Sequence, residues 1–136
     1  VKLIPGKIPG RLIVRYGAAP DDMAIAVTTP GSMSTELLKT PPGPTSGEIE
    51  SAAAYILIGM LDLADSVTVN SSDAQIEVLV RGARLHYEDI WYYRCLGSPI
   101  ASIAAAICSE ALSKPVRIKE ENHSRGESRI IIEVLS

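Results

Sequence analysis

The chain has 136 residues, of which 46% are apolar and 21% charged, a size and composition typical of one globular domain rather than a disordered chain. Its net charge of −3 argues against a nucleic-acid or anionic-membrane partner, because both require a basic surface. With no Phe, one Trp and five Tyr, the core must be built from Ile, Leu, Val and Ala.

Residues 1–44 contain seven of the nine prolines and are predicted to form an extended, loop-rich arm. Two short pieces of the arm, residues 11–16 and 23–28, have the composition of β-strands. The sequence Pro-Pro-Gly-Pro at 41–44 excludes a helix there. We therefore expect a single domain over residues 1–136, in which the proline-rich arm 1–44 is laid on a core formed by residues 45–136.

The first predicted helix begins at Thr45 and Glu48, which have the pattern of a capping box. Apolar residues then recur at helical spacing, at Ile49, Ala52, Ile56, Met60 and Leu63. The longest apolar run, residues 52–61, has about half the length that a bilayer crossing needs. We therefore expect a buried core helix and no membrane span.

Two hairpins and a second helix complete the predicted core. Apolar and polar residues alternate in both hairpins, at residues 66–81 and 115–135. Between them, Ser98 and Pro99 begin a helix as N-cap and first helical residue. The apolar stripe of this helix consists of Ile100, Ile103, Ala104, Ile107 and Ala111. The order predicts an α+β fold, an antiparallel sheet of two hairpins with two main helices packed on it.

The aromatic residues are concentrated in residues 87–97, which are predicted to be irregular. This segment contains the only Trp, Trp91, beside Tyr92 and Tyr93. Amphipathic rings in an irregular segment often line a pocket or a partner surface. The alternative is that they close one end of a core that is poor in aromatic residues, and the sequence leaves both interpretations open.

The sequence offers little for catalysis. His86 and His123 lie among charged residues, and no Gly-x-Ser-x-Gly elbow is present. Glu120 and Glu121 are neighbours in a predicted strand, so they point to opposite faces and cannot flank one bond. A metal site made of His123 and the nearby carboxylates, including Glu127, is less favoured than an exposed charged turn. We expect no metal, no cofactor and no enzymatic activity.

The two cysteines, Cys95 and Cys108, are too few for a disulfide framework. Both lie in apolar contexts, so they are predicted to be reduced and buried. Reduced thiols favour a cytoplasmic location.

The order of features from Gly82 onward resembles a known family. The sequence Leu-Gly-Ser-Pro-Ile-Ala at 96–101 leads into a helix of small residues, and Lys-Pro-Val-Arg-Ile-Lys-Glu-Glu at 114–121 then precedes a turn with Gly126 and a final apolar strand. Residues 82–136 resemble the 4-vinyl reductase, or hydrocarbon-binding, domain family, which is related to small subunits of TRAPP-type vesicle-tethering complexes. Members include stand-alone archaeal proteins.

The resemblance implies a homodimer with an apolar cavity for a small hydrophobic molecule. Many members bind zinc through two cysteines around the last hairpin. Asn122 and Ile130 occupy the matching positions here, so the zinc site is expected to be absent. The chain also has neither a dinucleotide-binding motif nor cysteines paired for an iron–sulfur cluster, so the reductase in the family name does not imply a redox cofactor.

We therefore expect non-enzymatic binding of a small hydrophobic ligand, as a sensor or carrier. The predicted mouth of the cavity consists of Trp91, Tyr92 and Tyr93, and its predicted wall of Ile56, Met60, Ile100, Ile103, Ala104 and Ile107. The alternative is a dimerisation or assembly module that has no ligand and uses the alanine-rich face of the second helix around Ala105. A metal-dependent enzyme using His123 is the least favoured hypothesis.

Overall fold

The computed structural model describes residues 2–3, 13–15, 19, 23–25 and 27–136. The strands are β1 (Lys2–Leu3), β2 (Ile13–Arg15), β3 (Met23–Ile25), β4 (Ser66–Ser72), β5 (Gln75–Arg81), β6 (Val116–Ser124) and β7 (Glu127–Val134). The α-helices are α1 (Pro30–Ser34), α2 (Ser46–Ala54), α3 (Trp91–Leu96) and α4 (Pro99–Leu112). A 3₁₀ turn, Thr35–Leu37, follows α1, and a π-helical segment, Tyr55–Met60, continues α2.

Five of the strands form one antiparallel sheet in the order β1-β6-β7-β5-β4. The two predicted hairpins, β4–β5 and β6–β7, join through the pairing of β5 with β7. One face of the sheet, which includes Ile76, Val78 and Ile130, is buried in the core. The opposite face carries ion pairs between strands, such as Arg129 with Glu77. One buried and one charged face is the usual arrangement of an antiparallel sheet packed by helices, and the predicted α+β class is confirmed.

Helix α4 lies at the centre of the core. Every residue from Ile100 to Ser109 is buried, and the helix contacts β6, α2 and α1. A helix that is buried all round belongs to a core rather than to a surface. Ala105 is 0% exposed, so the alanine-rich face is covered within the chain itself. That face does not offer a surface to a second chain in this fold.

Helix α1 departs from the extended arm predicted for residues 1–44. The Thr29 side chain accepts a hydrogen bond from the backbone amide of Ser32, and the Ser32 side chain bonds back to the Thr29 amide. Pro30 follows at the first helical position, where its missing N–H costs nothing. The Thr-Pro-Gly sequence at 29–31 therefore begins a helix within the arm that was predicted to be extended. Strands β2 and β3 lie within the two extended pieces that were predicted at residues 11–16 and 23–28. Residues 11, 12, 16 and 26 of these pieces are outside the described part. Residues 27 and 28 are described and are not strand.

The π-helical end of α2 corrects the prediction for Met60. The amide of Leu61 donates to the carbonyl of Ile56 at 2.9 Å, a wider i to i+5 turn than that of an α-helix. The wider turn changes the direction in which later side chains project. Ile56 is buried as predicted, but Met60 is 48% exposed and lies outside the apolar stripe.

Candidate functional site

The aromatic segment contains a helix where an irregular segment was predicted. Trp91–Leu96 forms α3, which ends at Gly97 with φ 83° and ψ 161°, a conformation that is essentially restricted to glycine. A Cβ atom at Gly97 would also lie 2.6 Å from Cδ1 of Ile118. Gly97 therefore ends α3 in a backbone conformation that another residue would not adopt, and no residue of α3 is buried.

Four rings and one imidazole form a continuous row at this end of the molecule. The ring centroids of Trp91 and Tyr92 are 5.7 Å apart, those of Tyr92 and Tyr93 5.3 Å, and those of Tyr93 and Tyr87 5.8 Å. Tyr87 stacks on His123 at 4.3 Å with an interplanar angle of 13°. These separations are typical of interacting aromatic pairs. We call these five residues the aromatic cluster.

The cluster extends from solvent to the core. Trp91 is 71% exposed, while the His123 side chain is only 16% exposed. Tyr87 and Tyr92 are also exposed, and Tyr93 is half-buried. Large apolar side chains that stand together at a surface often mark a binding site, so the aromatic cluster is the candidate functional site.

A β-bulge turns His123 toward this site. Strand β6 pairs Ile118 with Ile132 and then Glu120 with Ile131, so the register shifts at Lys119. Side chains alternate between the two faces of a strand, and one extra residue exchanges the faces for everything that follows. Glu121 and His123 therefore share the face of the buried Ile130, where simple alternation would have put Glu120 and Asn122.

His123 connects the cluster to a hydrogen-bonded network at the start of α4. Its Nε2 lies 2.9 Å from Oε1 of Glu121, and its Nδ1 lies 2.7 Å from Oγ of Ser128. Since an ionised carboxylate only accepts hydrogen bonds, Nε2 carries the proton, and in the neutral ring Nδ1 accepts from the Ser128 hydroxyl. Glu121 also accepts from the amide and the hydroxyl of Ser98, the N-cap of α4.

The row Ser128–His123–Glu121 has the residue types of a nucleophile, a base and an orienting acid. Ser128, however, is 3% exposed, so its hydroxyl lies out of reach of a substrate. The Ser98 hydroxyl donates to Glu121 and accepts from the amide of Ala101, so it is fully engaged as well. The arrangement fastens the start of α4 to the sheet and does not place a nucleophile in the open.

The residues considered for a metal site are brought together only in part. Within the described part of the chain, no group of three or more His, Cys, Asp or Glu side chains is placed to hold a metal ion. Glu121 contacts His123, but Glu127 pairs with Arg81 at 3.5 Å and Glu120 accepts from the side-chain amide of Asn122. Two of the four predicted ligands therefore meet, and the other two are engaged elsewhere.

The predicted wall of the ligand cavity is mostly buried, whereas its predicted mouth is mostly exposed. Most of the wall lies in the closed core, at Ile56, Ile100, Ile103, Ala104 and Ile107. Trp91, Tyr92 and Met60 lie on the surface. An open groove of about 630 Å³ lies elsewhere, between residues 38–43 and the first turns of α2. The carboxylate of Glu48 and the hydroxyls of Thr45 and Ser51 contribute to its lining, so it is not an apolar cavity.

The segment that bears the four rings, residues 87–97, carries one more negative than positive charge. The Asp89 carboxylate pairs with Arg94 at 3.1 Å, whereas Glu88 has no ion-pair partner among the residues that the structure describes. Burial raises the pKa of the Tyr93 hydroxyl, and the neighbouring Tyr92 and Glu88 raise it further. The Tyr93 phenol is therefore neutral near pH 7.

The cysteines differ in their surroundings. Cys108, in α4, is buried as predicted, and burial raises the pKa of its thiol to about 12. Cys95 is exposed, so the prediction of burial was wrong for this residue. The cause is the position of α3, which lies on the surface instead of continuing into the core.

Helices α3 and α4 together raise the question of a membrane segment. The stretch Trp91–Leu112 is long and apolar enough to cross a bilayer by length and composition, and 67% of its most apolar part is buried inside the fold. Burial of this extent is also found in the core helix of a globular domain, and the absence of a membrane span stays an expectation.

Comparison with known proteins finds no family model, no curated protein and no solved structure that matches this chain.

Proposed function

We propose that this chain binds a small hydrophobic ligand at the aromatic cluster, without catalysing a reaction, and acts as a sensor or carrier. The observation that carries the proposal is the 71% exposure of Trp91 at the outer end of a row of interacting rings. Four of the six aromatic residues of a chain that has no Phe are gathered here, at Tyr87, Trp91, Tyr92 and Tyr93. Rings that are exposed together provide a large contact area with few rotatable bonds, which suits them to binding.

Two further features support the proposal. Residues 82–136 resemble a family of hydrocarbon-binding domains, and the aromatic cluster falls within that stretch. The network of Glu121 and Ser98 fixes His123, on which Tyr87 stacks, so the inner end of the cluster is held in place before a ligand arrives. Preorganisation of this kind lowers the entropic cost of binding.

The position of the site differs from the interior cavity that the resemblance implies. The isoleucine and alanine side chains of α4 are packed inside the core cluster, and we place the ligand against the outer rings. The polar tips of Tyr87 and Tyr92 would orient the ligand, and the faces of the rings would supply most of the affinity.

Fluorescence of Trp91 tests the proposal, because the chain has a single Trp and its emission reports on this site alone. Titration with a neutral aromatic hydrocarbon, neopentylbenzene, should give a saturable shift of the emission to shorter wavelength. Tyr92→Ser should weaken binding about threefold to tenfold, the value of one aromatic contact. The matched control, Tyr55→Ser, removes an exposed Tyr from the π-helical segment and should leave the affinity unchanged. A wild-type chain without a saturable response would contradict the proposal.

The alternative is an assembly module without a ligand, which would use the same exposed rings because the alanine-rich face is buried. Sedimentation of the wild-type chain and of Trp91→Ala distinguishes the two functions. A dimer that dissociates on substitution, together with no response to the hydrocarbon, would favour assembly.

A further inference from the structure

The charges of residues 87–97, the segment that bears the four rings, are not balanced. Among the described residues, the cation in the segment that bears the rings is Arg94, and its guanidinium is already paired with Asp89. The Glu88 carboxylate is exposed, and Glu88 follows Tyr87, whose ring lies 5.8 Å from that of Tyr93. Its charge also raises the pKa of the Tyr93 phenol. Within this segment, the charge that is left without a partner is therefore negative.

The aromatic rings also favour a cationic ligand. The face of an aromatic ring carries the negative part of its quadrupole, so a cation is attracted to it, most strongly by Trp and Tyr. Trp91 and Tyr92 are perpendicular at 89°, and Tyr92 and Tyr93 at 85°. Successive perpendicular rings turn their faces in different directions, so an approaching group meets more than one ring. The outermost of these rings, Trp91, is also the most exposed.

The inner end of the cluster is not available to an anion. The imidazole of His123 could attract an anion when protonated, but its Nε2 already donates to the Glu121 carboxylate, and its Nδ1 is engaged with Ser128. Both polar atoms of the ring are therefore occupied, and Tyr87 covers one face. An anionic ligand at the rings would meet the exposed Glu88 carboxylate, and the His123 imidazole would offer it no free polar atom.

We infer that the ligand of the aromatic cluster is an organic cation, a quaternary or protonated amine joined to an apolar group, whose charge lies over the faces of Trp91 and Tyr92 beside Glu88. This inference rests on the proposed function and specifies the class of ligand. The apolar part of the ligand would pack on the exposed rings, and the ammonium group would balance the charge of Glu88. Contact with aromatic faces and attraction to a carboxylate are both known ways in which proteins bind organic cations.

The test compares three probes of similar size through the emission of Trp91: the cation benzyltrimethylammonium, its uncharged isostere neopentylbenzene, and the anion phenylacetate. The cation should bind about tenfold more tightly than the isostere, and the anion most weakly. Glu88→Gln should reduce the preference for the cation about threefold or more and leave the affinity for neopentylbenzene unchanged. Glu36→Gln, which removes the same charge from the 3₁₀ turn after α1, is the matched control and should change neither affinity.

The outcomes separate the two proposals. Equal affinities for the cation and the isostere would overturn the inference and leave the proposed function standing. A preference for the cation that survives in Glu88→Gln would also overturn the role of Glu88. If none of the three probes changes the emission of Trp91, both the inference and the proposed function fail.

Discussion

The carboxylate of Glu121 accepts two hydrogen bonds from Ser98, one from its backbone amide at 3.0 Å and one from its hydroxyl at 2.6 Å. Ser98 is the N-cap of α4, and its hydroxyl accepts in turn from the amide of Ala101. A negative group at this end of the helix also interacts favourably with the helix dipole. The pair joins the last hairpin to the central helix and supports the aromatic cluster through His123.

Glu121→Ala is expected to destabilise the fold by about 2–3 kcal/mol, because it leaves the Ser98 amide and hydroxyl in a buried place without their charged acceptor. Glu120→Ala removes the neighbouring carboxylate, which faces away from the core, and should cost less than about 0.5 kcal/mol. Chemical denaturation of both variants measures the difference. Equal midpoints would show that the network contributes nothing to stability.

Gly31→Ala is expected to destabilise the fold by about 3 kcal/mol, the upper end of the cost of overpacking. A Cβ atom at Gly31 would lie 2.0 Å from the backbone carbonyl oxygen of Ser102, and a backbone atom can yield only if α1 moves away from α4. Gly47→Ala is the matched control, because nothing lies within 4 Å of the new Cβ. This control should be neutral or stabilise α2 by up to about 1 kcal/mol. Thermal unfolding of the two variants decides the prediction, which a similar midpoint for both would contradict.

One thiol of two is expected to react in the native protein. Cys95 is exposed, whereas Cys108 is buried and the pKa of its thiol is raised by burial to about 12. The thiolate is the reactive form, so at pH 8 a thiol reagent should label Cys95 rapidly and Cys108 only after denaturation. Counting the labelled thiols with and without denaturant, in the wild type and in Cys95→Ser, measures this. Rapid labelling of the native Cys95→Ser variant would show that α4 is more accessible than the structure indicates.

Stability is expected to fall between pH 9 and pH 12. In the unfolded chain the Cys108 thiol loses its proton above its ordinary pKa of 9.0, but in the native protein it keeps the proton up to about 12. The native state binds more protons in this range, so the free energy of unfolding decreases as the pH rises, by up to about 1.4 kcal/mol per pH unit. Below pH 9 both states are protonated and the contribution is constant.

The control for this pH dependence is Cys108→Ala. Its free energy of unfolding should be lower than that of the wild type at every pH but should decrease less between pH 9 and pH 12. The pKa of Tyr93 is also raised, so this residue lowers the free energy of unfolding above pH 10 as well. It does so in both proteins, so its effect cancels when their curves are compared. Parallel curves for the two proteins would contradict the assignment to Cys108.

Local patterns predicted most of the fold. The alternation of residues 75–81 predicted β5, the capping box at Thr45 predicted the start of α2, and Ser98 with Pro99 predicted the start of α4; all three lie where expected. These signals depend on residues close to each other in the chain, so the sequence is sufficient to identify them.

The remaining features depend on distant contacts. Nothing near Lys119 marks the bulge that turns Glu121 and His123 inward, and the aromatic cluster owes its inner end to it. The π-helical turn that exposes Met60 likewise has no local pattern. Helix α1 was not predicted, because the prolines of residues 1–44 favoured an extended arm and the capping box of Thr29 uses Ser32 in place of the usual Glu or Gln. Trp91, Tyr92 and Tyr93 were identified as candidate residues, whereas the stacking of Tyr87 on His123 could be found only from the folded chain.

The burial of α4 on all sides has a consequence for the kinetics of folding. The amide of Gly31 donates to the hydroxyl of Ser102 at 3.0 Å, across 71 positions of sequence, and Leu3 of β1 pairs with Val116 of β6 at the sheet edge. The core therefore closes only when segments far apart in the chain have met, which gives the protein a high contact order. Chains of this kind lose loop entropy before their contacts form and fold in milliseconds to seconds rather than microseconds. Until these contacts form, the apolar side chains of α4 are not fully covered, which favours aggregation in competition with folding.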